Sequence, residues 1–192
     1  MSRAPVQRLL GRLWSSHYLG EAFAILDGAR DPRIAELIRR SGHDSLCLFS
    51  GSLAPQLAQV APWIVHLRRD SAFTHFLLSE ALGQSWGIFL LSDASLIDNH
   101  RHFRTILRVQ DHLGTKMLFR YYDPRVLRAY LPTCLPGELA TVFGPVIRFF
   151  CESEDGHRLE SFSWVKNSLV HDRGLERTVS SALAGNGDGP QR

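Results

Sequence analysis

Carboxylates and guanidinium groups meet at two places where an apolar run ends: Asp27 within LDGAR, and Asp123 within FRYYDPRVL. A carboxylate at the end of a strand can attack phosphorus while arginines clamp the phosphate oxygens. On that reading, Asp27 and Asp123 with Arg120 and Arg125 form a small phosphate-handling site. Phosphoryl transfer from a strand-end Asp27 calls for a second acid two positions on, however, and Ala29 stands there. The chain also has no Walker loop, no GxGxxG turn and no HExxH pair.

The same residues have a simpler use. Asp123 is a good N-cap, and Pro124 suits the first helical position, where no amide donor is required. Arg120 lies in an apolar run, and Arg125 lies in a first helical turn, where positive charge opposes the helix dipole. A buried guanidinium needs a carboxylate. Asp123, Asp27 or an acid on a partner protein could supply it, and an internal ion pair is the expected arrangement. Asp27, Arg120, Asp123, Pro124 and Arg125 are therefore expected to be structural, with no catalytic residue and no cofactor among them.

Nine histidines and three cysteines offer little more. His100 and His102 flank Arg101, but residues two apart on a helix point to different faces. His100 falls on an apolar stripe with Leu96, Phe103 and Leu107, while His102 has polar neighbours. Cys47, Cys134 and Cys151 are far apart with no CxxC, which argues against a zinc site or a disulfide framework. Free buried thiols are the expectation.

One charged pattern remains. Arg101, Arg104 and Arg108 recur at i, i+3 and i+7 of a predicted helix over residues 95–110, so they share the face opposite its apolar stripe. They form either a solvated basic face or a docking stripe for an acidic helix or tail of a partner.

The elements that position these residues follow from apolar patterning. Ala22–Leu26, residues 45–51, 62–67, 86–91 and 116–122 read as strands, separated by helical stretches at 32–40, 52–60, 70–83 and 95–110. Alternation of strand and helix predicts a layered α/β fold with a partly parallel sheet flanked by helices. Toward the C-terminus, Asp155-Gly156 between two strand-like runs predicts an antiparallel hairpin of the type I′ kind, with Phe149 facing Phe162 and Ile147 facing Trp164. Residues 1–19 read as a short amphipathic helix and lead-in, 20–170 as one α/β unit, and 171–192 as a disordered tail.

Composition restricts the function class. The 192 residues carry a net charge of +3, nearly all the positive charge coming from arginine, since Lys116 and Lys166 are the only lysines. That balance does not indicate nucleic acid, which would show a concentrated basic stripe with interleaved aromatics. No apolar run approaches the roughly 20 residues of a membrane span, and the N-terminus lacks the apolar centre of a signal peptide. A cytoplasmic protein without stable membrane insertion is expected.

Several separated stretches together resemble a known family. FAILDGAR, LFSGSLAPQLAQVAPWIVHL, WGIFLLS, HFRTILRV and FRYYDPRVLRAYLP, in this order over about residues 20–150, are similar to the adaptor-chaperones of type VI secretion effectors. Their shared domain was long catalogued as one of unknown function. The resemblance implies a non-catalytic protein of the Gram-negative cytoplasm that needs no cofactor. Its implied partners are a secreted effector, bound often through the effector's N-terminal region, and the valine-glycine-repeat spike protein on which the effector is loaded. The resemblance does not itself assign Arg101, Arg104 and Arg108 to that contact.

Overall fold

The computed structural model describes residues 3–14, 20–110 and 113–174. Among these residues seven strands make the main sheet: β1 (Glu21–Asp27), β2 (Ser45–Cys47), β3 (Pro62–His66), β4 (Gly87–Ser92), β7 (Val146–Glu152), β8 (Leu159–Val165) and β9 (Ser168–Asp172). Two short strands, β5 (Arg108–Gln110) and β6 (Lys116–Leu118), pair only with each other. The helices are α1 (Arg3–Leu13), α2 (Ile34–Ser41), α3 (Pro55–Val60), α4 (Ala72–Phe76), α5 (Leu96–Ile106), α6 (Pro124–Tyr130) and α7 (Pro136–Phe143).

The sheet order is β2-β3-β1-β4-β7-β8-β9, and every pairing is antiparallel. The expected partly parallel sheet is thus wrong, for a definable reason. β1 and β2, joined through α2, do run in the same direction, and so do β3 and β4, joined through α4. In each case another strand lies between them: β3 separates β1 from β2, and β1 separates β3 from β4. The connection from β2 to β3 through α3 joins antiparallel neighbours directly, so a helix between two strands does not by itself make them parallel.

Both faces of the sheet are covered, which is why β1 and β4 read as continuous apolar runs. On one side Ala22, Ala24 and Leu26 of β1 pack with Leu10 and Leu13 of α1, Ile34 and Ile38 of α2, and Phe73 of α4. On the other, Phe23 and Ile25 pack with Phe103 of α5, Leu127 of α6 and Phe143 of α7. After α4 the helix widens into a π turn over Leu77–Ala81.

The C-terminal hairpin has the expected register, with Phe149 opposite Phe162. Its turn differs. Gly156 takes φ 69°, but Asp155 is not in the positive-φ region, so the loop is not type I′; instead the Ser153 carbonyl accepts the Gly156 amide at 2.9 Å. The turn with two successive positive-φ residues comes next, at Lys166 (φ 49°) and Asn167 (φ 62°), and leads into β9. Residues 171 and 172, expected in the tail, are the end of that edge strand. The rest of the expected tail, from 175 on, lies outside the described residues.

Candidate functional site

Asp27 ends β1 and is buried. One carboxylate oxygen accepts the Ala29 amide at 3.1 Å and the other accepts an Arg120 guanidinium N–H at 2.5 Å. The neighbouring glycine is required by crowding: a Cβ on Gly28 would stand 2.4 Å from the Gln59 carbonyl oxygen. Asp123 caps α6. Its Oδ1 accepts the Arg125 amide at 3.0 Å and Arg125 Nε at 2.9 Å, and its Oδ2 accepts a second guanidinium N–H at 2.6 Å. Arg125 therefore folds back on the cap of its own helix, which offsets the unfavourable dipole position. Arg120, just beyond β6 rather than inside a strand, also lies 3.7 Å from Asp123. Pro124 is buried at the first position of α6.

Electrostatics within this cluster are consistent with its geometry. Burial works against the charge on Asp123, but hydrogen bonds from Arg125 outweigh it and hold the carboxyl below the usual carboxylate value. Burial alone would lower the Arg120 value, and the hydrogen bond and charge of Asp27 raise it instead. Tyr122, beside them, is pushed up to about 12, first by burial and then by the Asp27 charge. Asp27, Asp123 and the arginines do converge, but each carboxylate side chain is only 2–3% exposed and is already occupied by donors. Among the described residues no three His, Cys, Asp or Glu side chains are grouped to hold a metal ion.

The sequence carries one catalytic-looking pattern besides these. Gly83-Gln84-Ser85-Trp86-Gly87 has GxSxG spacing, and Ser85 has the positive φ (54°) seen in nucleophile elbows. The elbow runs from strand to helix; here the chain runs from the π turn into β4. Glu152, 6% exposed, accepts the Gly83 amide at 2.6 Å, the Ser85 amide at 3.0 Å and the Ser85 hydroxyl at 2.8 Å. The loop's amides thus cradle an internal carboxylate, and the donors an oxyanion would need are already engaged.

The histidines of α5 serve packing. His100 Nε2 lies 2.8 Å from the Cys47 carbonyl oxygen, and His102 Nε2 donates to the Val142 carbonyl oxygen at 3.0 Å. His102 is therefore half-buried against α7, not in the polar setting its neighbours suggested. All three cysteines are free thiols, with Cys151 fully buried.

The arginine stripe is rearranged. Helix α5 ends at Ile106, so Arg108 is not on it but opens β5, opposite Leu118. The chain leaves the helix there to form an arm, β5 and β6, which turns through Gly114 at φ 84°. Even so, Arg101, Arg104 and Arg108 line one groove, together with Lys116 of the arm. Its volume is about 830 Å³, and its aliphatic lining comprises Leu48, Leu53, Leu57, Leu107, Met117 and Leu118, with Phe49 beside them. Arg101 pairs with Asp98 at 3.1 Å and Arg104 donates to the Ser50 hydroxyl at 2.5 Å. Helical spacing missed Leu57, Lys116, Met117 and Leu118. The available signal was Gly114 between the short runs Arg108–Gln110 and Lys116–Leu118, a hairpin pattern hidden when residues 95–110 are taken as one helix.

A family model described as "Domain of unknown function (DUF4123)" matches residues 22–141. The chain belongs to this family. The DUF4123 match takes in the Asp27–Arg120–Asp123 cluster and the whole groove, but not β7, β8 and β9, which complete the sheet. Neither a curated protein nor a solved structure matches the chain. Among the described residues, no helix is long and apolar enough to cross a membrane.

Proposed function

We propose that this DUF4123 protein is a non-catalytic adaptor-chaperone, which binds a type VI secretion effector in the cytoplasm of a Gram-negative bacterium and helps load it on the valine-glycine-repeat spike. The reading draws on the ordered stretches from FAILDGAR to FRYYDPRVLRAYLP, all of which fall within residues 22–141, the part matched by the family model. The observation that carries it is the open groove, where four cationic side chains surround an aliphatic lining. Apolar surface left exposed beside charge is a mark of protein docking.

A second reading, phosphate handling by Asp27 and Asp123 with the arginines, has their convergence in its favour. Burial weighs against it, because an incoming phosphate would have to displace donors from two carboxylates and then face their negative charge.

Co-expression with the effector and spike proteins encoded beside its gene tests the proposal. A complex that survives size-exclusion chromatography is the expected result. Absence of a complex with either protein, or turnover of a phosphate ester by the purified chain that Asp27→Asn abolishes, overturns it.

A further inference from the structure

The groove has a chemistry that narrows what can fill it. Leu57, Met117 and Leu118 line it while remaining 48%, 47% and 46% exposed. Those are large apolar side chains held toward water in a concavity. Around them stand Arg101, Arg104, Arg108 and Lys116, and among the described residues only Arg101 has a carboxylate partner. Among the described residues no acidic side chain lines the groove. One wall is the β5–β6 arm, whose six strand residues are all exposed and whose strands, among the described residues, pair only with each other. An isolated two-stranded ribbon is marginal by itself in water.

Each feature selects for an occupant property. The aliphatic lining calls for apolar side chains, since burying Leu57, Met117 and Leu118 is favourable only against similar groups. The guanidinium groups call for carboxylates, which they bind as planar, two-point acceptors. Single-stranded nucleic acid would satisfy the charge but not the lining: base recognition uses aromatic platforms, and among the described residues Phe49 is the one aromatic side chain in the groove.

We propose that the groove receives an acidic, amphipathic polypeptide segment, with aliphatic side chains seated on Leu57, Met117 and Leu118 and carboxylates paired with Arg101, Arg104, Arg108 and Lys116. This deepens the adaptor reading and rests on it only in taking the client to be a protein. The segment packs against an arm whose strand residues are otherwise exposed.

Selection of a random linear-peptide display library on the full chain tests this without knowledge of the natural client. Enriched peptides should combine Asp or Glu with Leu, Ile or Met. A labelled enriched peptide should lose affinity by about tenfold or more toward Arg101→Glu/Arg104→Glu/Arg108→Glu, and comparably toward Leu57→Ser/Met117→Ser. Its binding should weaken with added salt and slow hydrogen exchange in residues 108–118. The substituted positions are exposed, so unchanged thermal melting of both variants separates lost binding from lost fold. Enrichment of basic or neutral peptides, enrichment of none, binding indifferent to both variants, or displacement by a single-stranded oligonucleotide at equal concentration overturns the inference. Effector capture that persists in the charge-reversal variant removes this groove while leaving the adaptor reading; acidic-peptide binding without any effector or spike complex does the opposite.

Discussion

Arg120 and Asp27 are 93 positions apart in sequence, and their side chains meet at 2.5 Å. The contact ties the end of a central strand, β1, to the segment between the β5–β6 arm and α6. Asp123 stands 3.7 Å from the same guanidinium and is itself held by Arg125 at 2.6 Å. Two carboxylates that could be taken for catalytic groups thereby fix where the arm and one groove wall leave the core.

Removing one member should expose this coupling. Asp27→Asn leaves Arg120 with only the more distant Asp123 carboxylate, but Arg120 is 40% exposed and can rehydrate in part, so a loss of about 1–3 kcal/mol is expected. Urea unfolding of Asp27→Asn, Arg120→Gln and the double variant should give a coupling energy of roughly 1–2 kcal/mol. Strict additivity of the two single losses would show that the pair does not act as a unit.

Asp123 gives a pH signature. Its carboxyl is held below the usual value in the folded protein, so the unfolded chain binds the proton more readily. The stabilisation is complete above the unfolded value of about 3.9 and is lost as pH falls from there through the folded value. Asp123→Asn keeps a side chain of equal capping rank but removes the charge that holds the exposed Arg125, so it should lower stability at neutral pH by about 0.5–1 kcal/mol and should flatten the acid limb below about pH 4. An acid limb identical to that of the parent would rule Asp123 out as its source.

The legible part of this fold is the part encoded locally. Apolar runs locate β1, β3 and β4, and Asp123-Pro124 marks the start of α6, because burial on both faces and cap chemistry depend on neighbours in sequence. Sheet order is not local: nothing in residues 21–27 states that β3 and β4 will flank them. The groove was half legible for the same reason. Helical spacing groups Arg101, Arg104 and Arg108, and the three do share the groove, but Arg108 takes its place from β5, after the helix has ended at Ile106. The helical stretch expected from residue 32 begins at Ile34, with Asp31 accepting the Arg33 amide at 2.8 Å just before it.

His102 should make stability fall on mild acidification. Burial lowers its value below the ordinary imidazole one, with the Val142 carbonyl only partly offsetting this. Between the folded value and the unfolded value of about 6.5, the unfolded chain holds more protons, so folding weakens as pH drops through that window. His43, lowered by burial and by Arg68, acts in the same direction. Melting temperatures of His102→Gln should change less than those of the parent between about pH 7 and pH 5. A parent profile that is flat across this range would contradict the assignment.

Thiol reactivity should report global opening at one position. Cys151 is fully buried on β7, and burial pushes its thiol up to about 12, so very little thiolate exists at neutral pH. Cys47 and Cys134 are half-buried, and burial raises their values too. In native protein an aromatic disulfide reagent should modify Cys151 last, at a rate that tracks unfolding in urea. Modification of Cys151 ahead of Cys47 and Cys134 would mean that β7 is open to solvent in the native state.

The β8–β9 turn is where a substitution should stabilise. Lys166 and Asn167 both take positive φ, a conformation natural to Asn-Gly but strained for lysine. The strain is tolerated because the pairs beyond it, Trp164 opposite Leu169 and Phe162 opposite His171, hold the two strands in register. The Phe162 and His171 rings also stack at 4.3 Å. Lys166→Asn/Asn167→Gly relieves the turn without touching those pairs and should raise stability by about 0.5–1 kcal/mol, read as a higher urea midpoint at unchanged slope. Asn167→Val, which forces a β-branched side chain into the same positive-φ position, should lower the midpoint by at least as much. If both variants unfold at the parent midpoint, β9 is not held by this turn and contributes nothing to the cooperative unit that unfolds with β8.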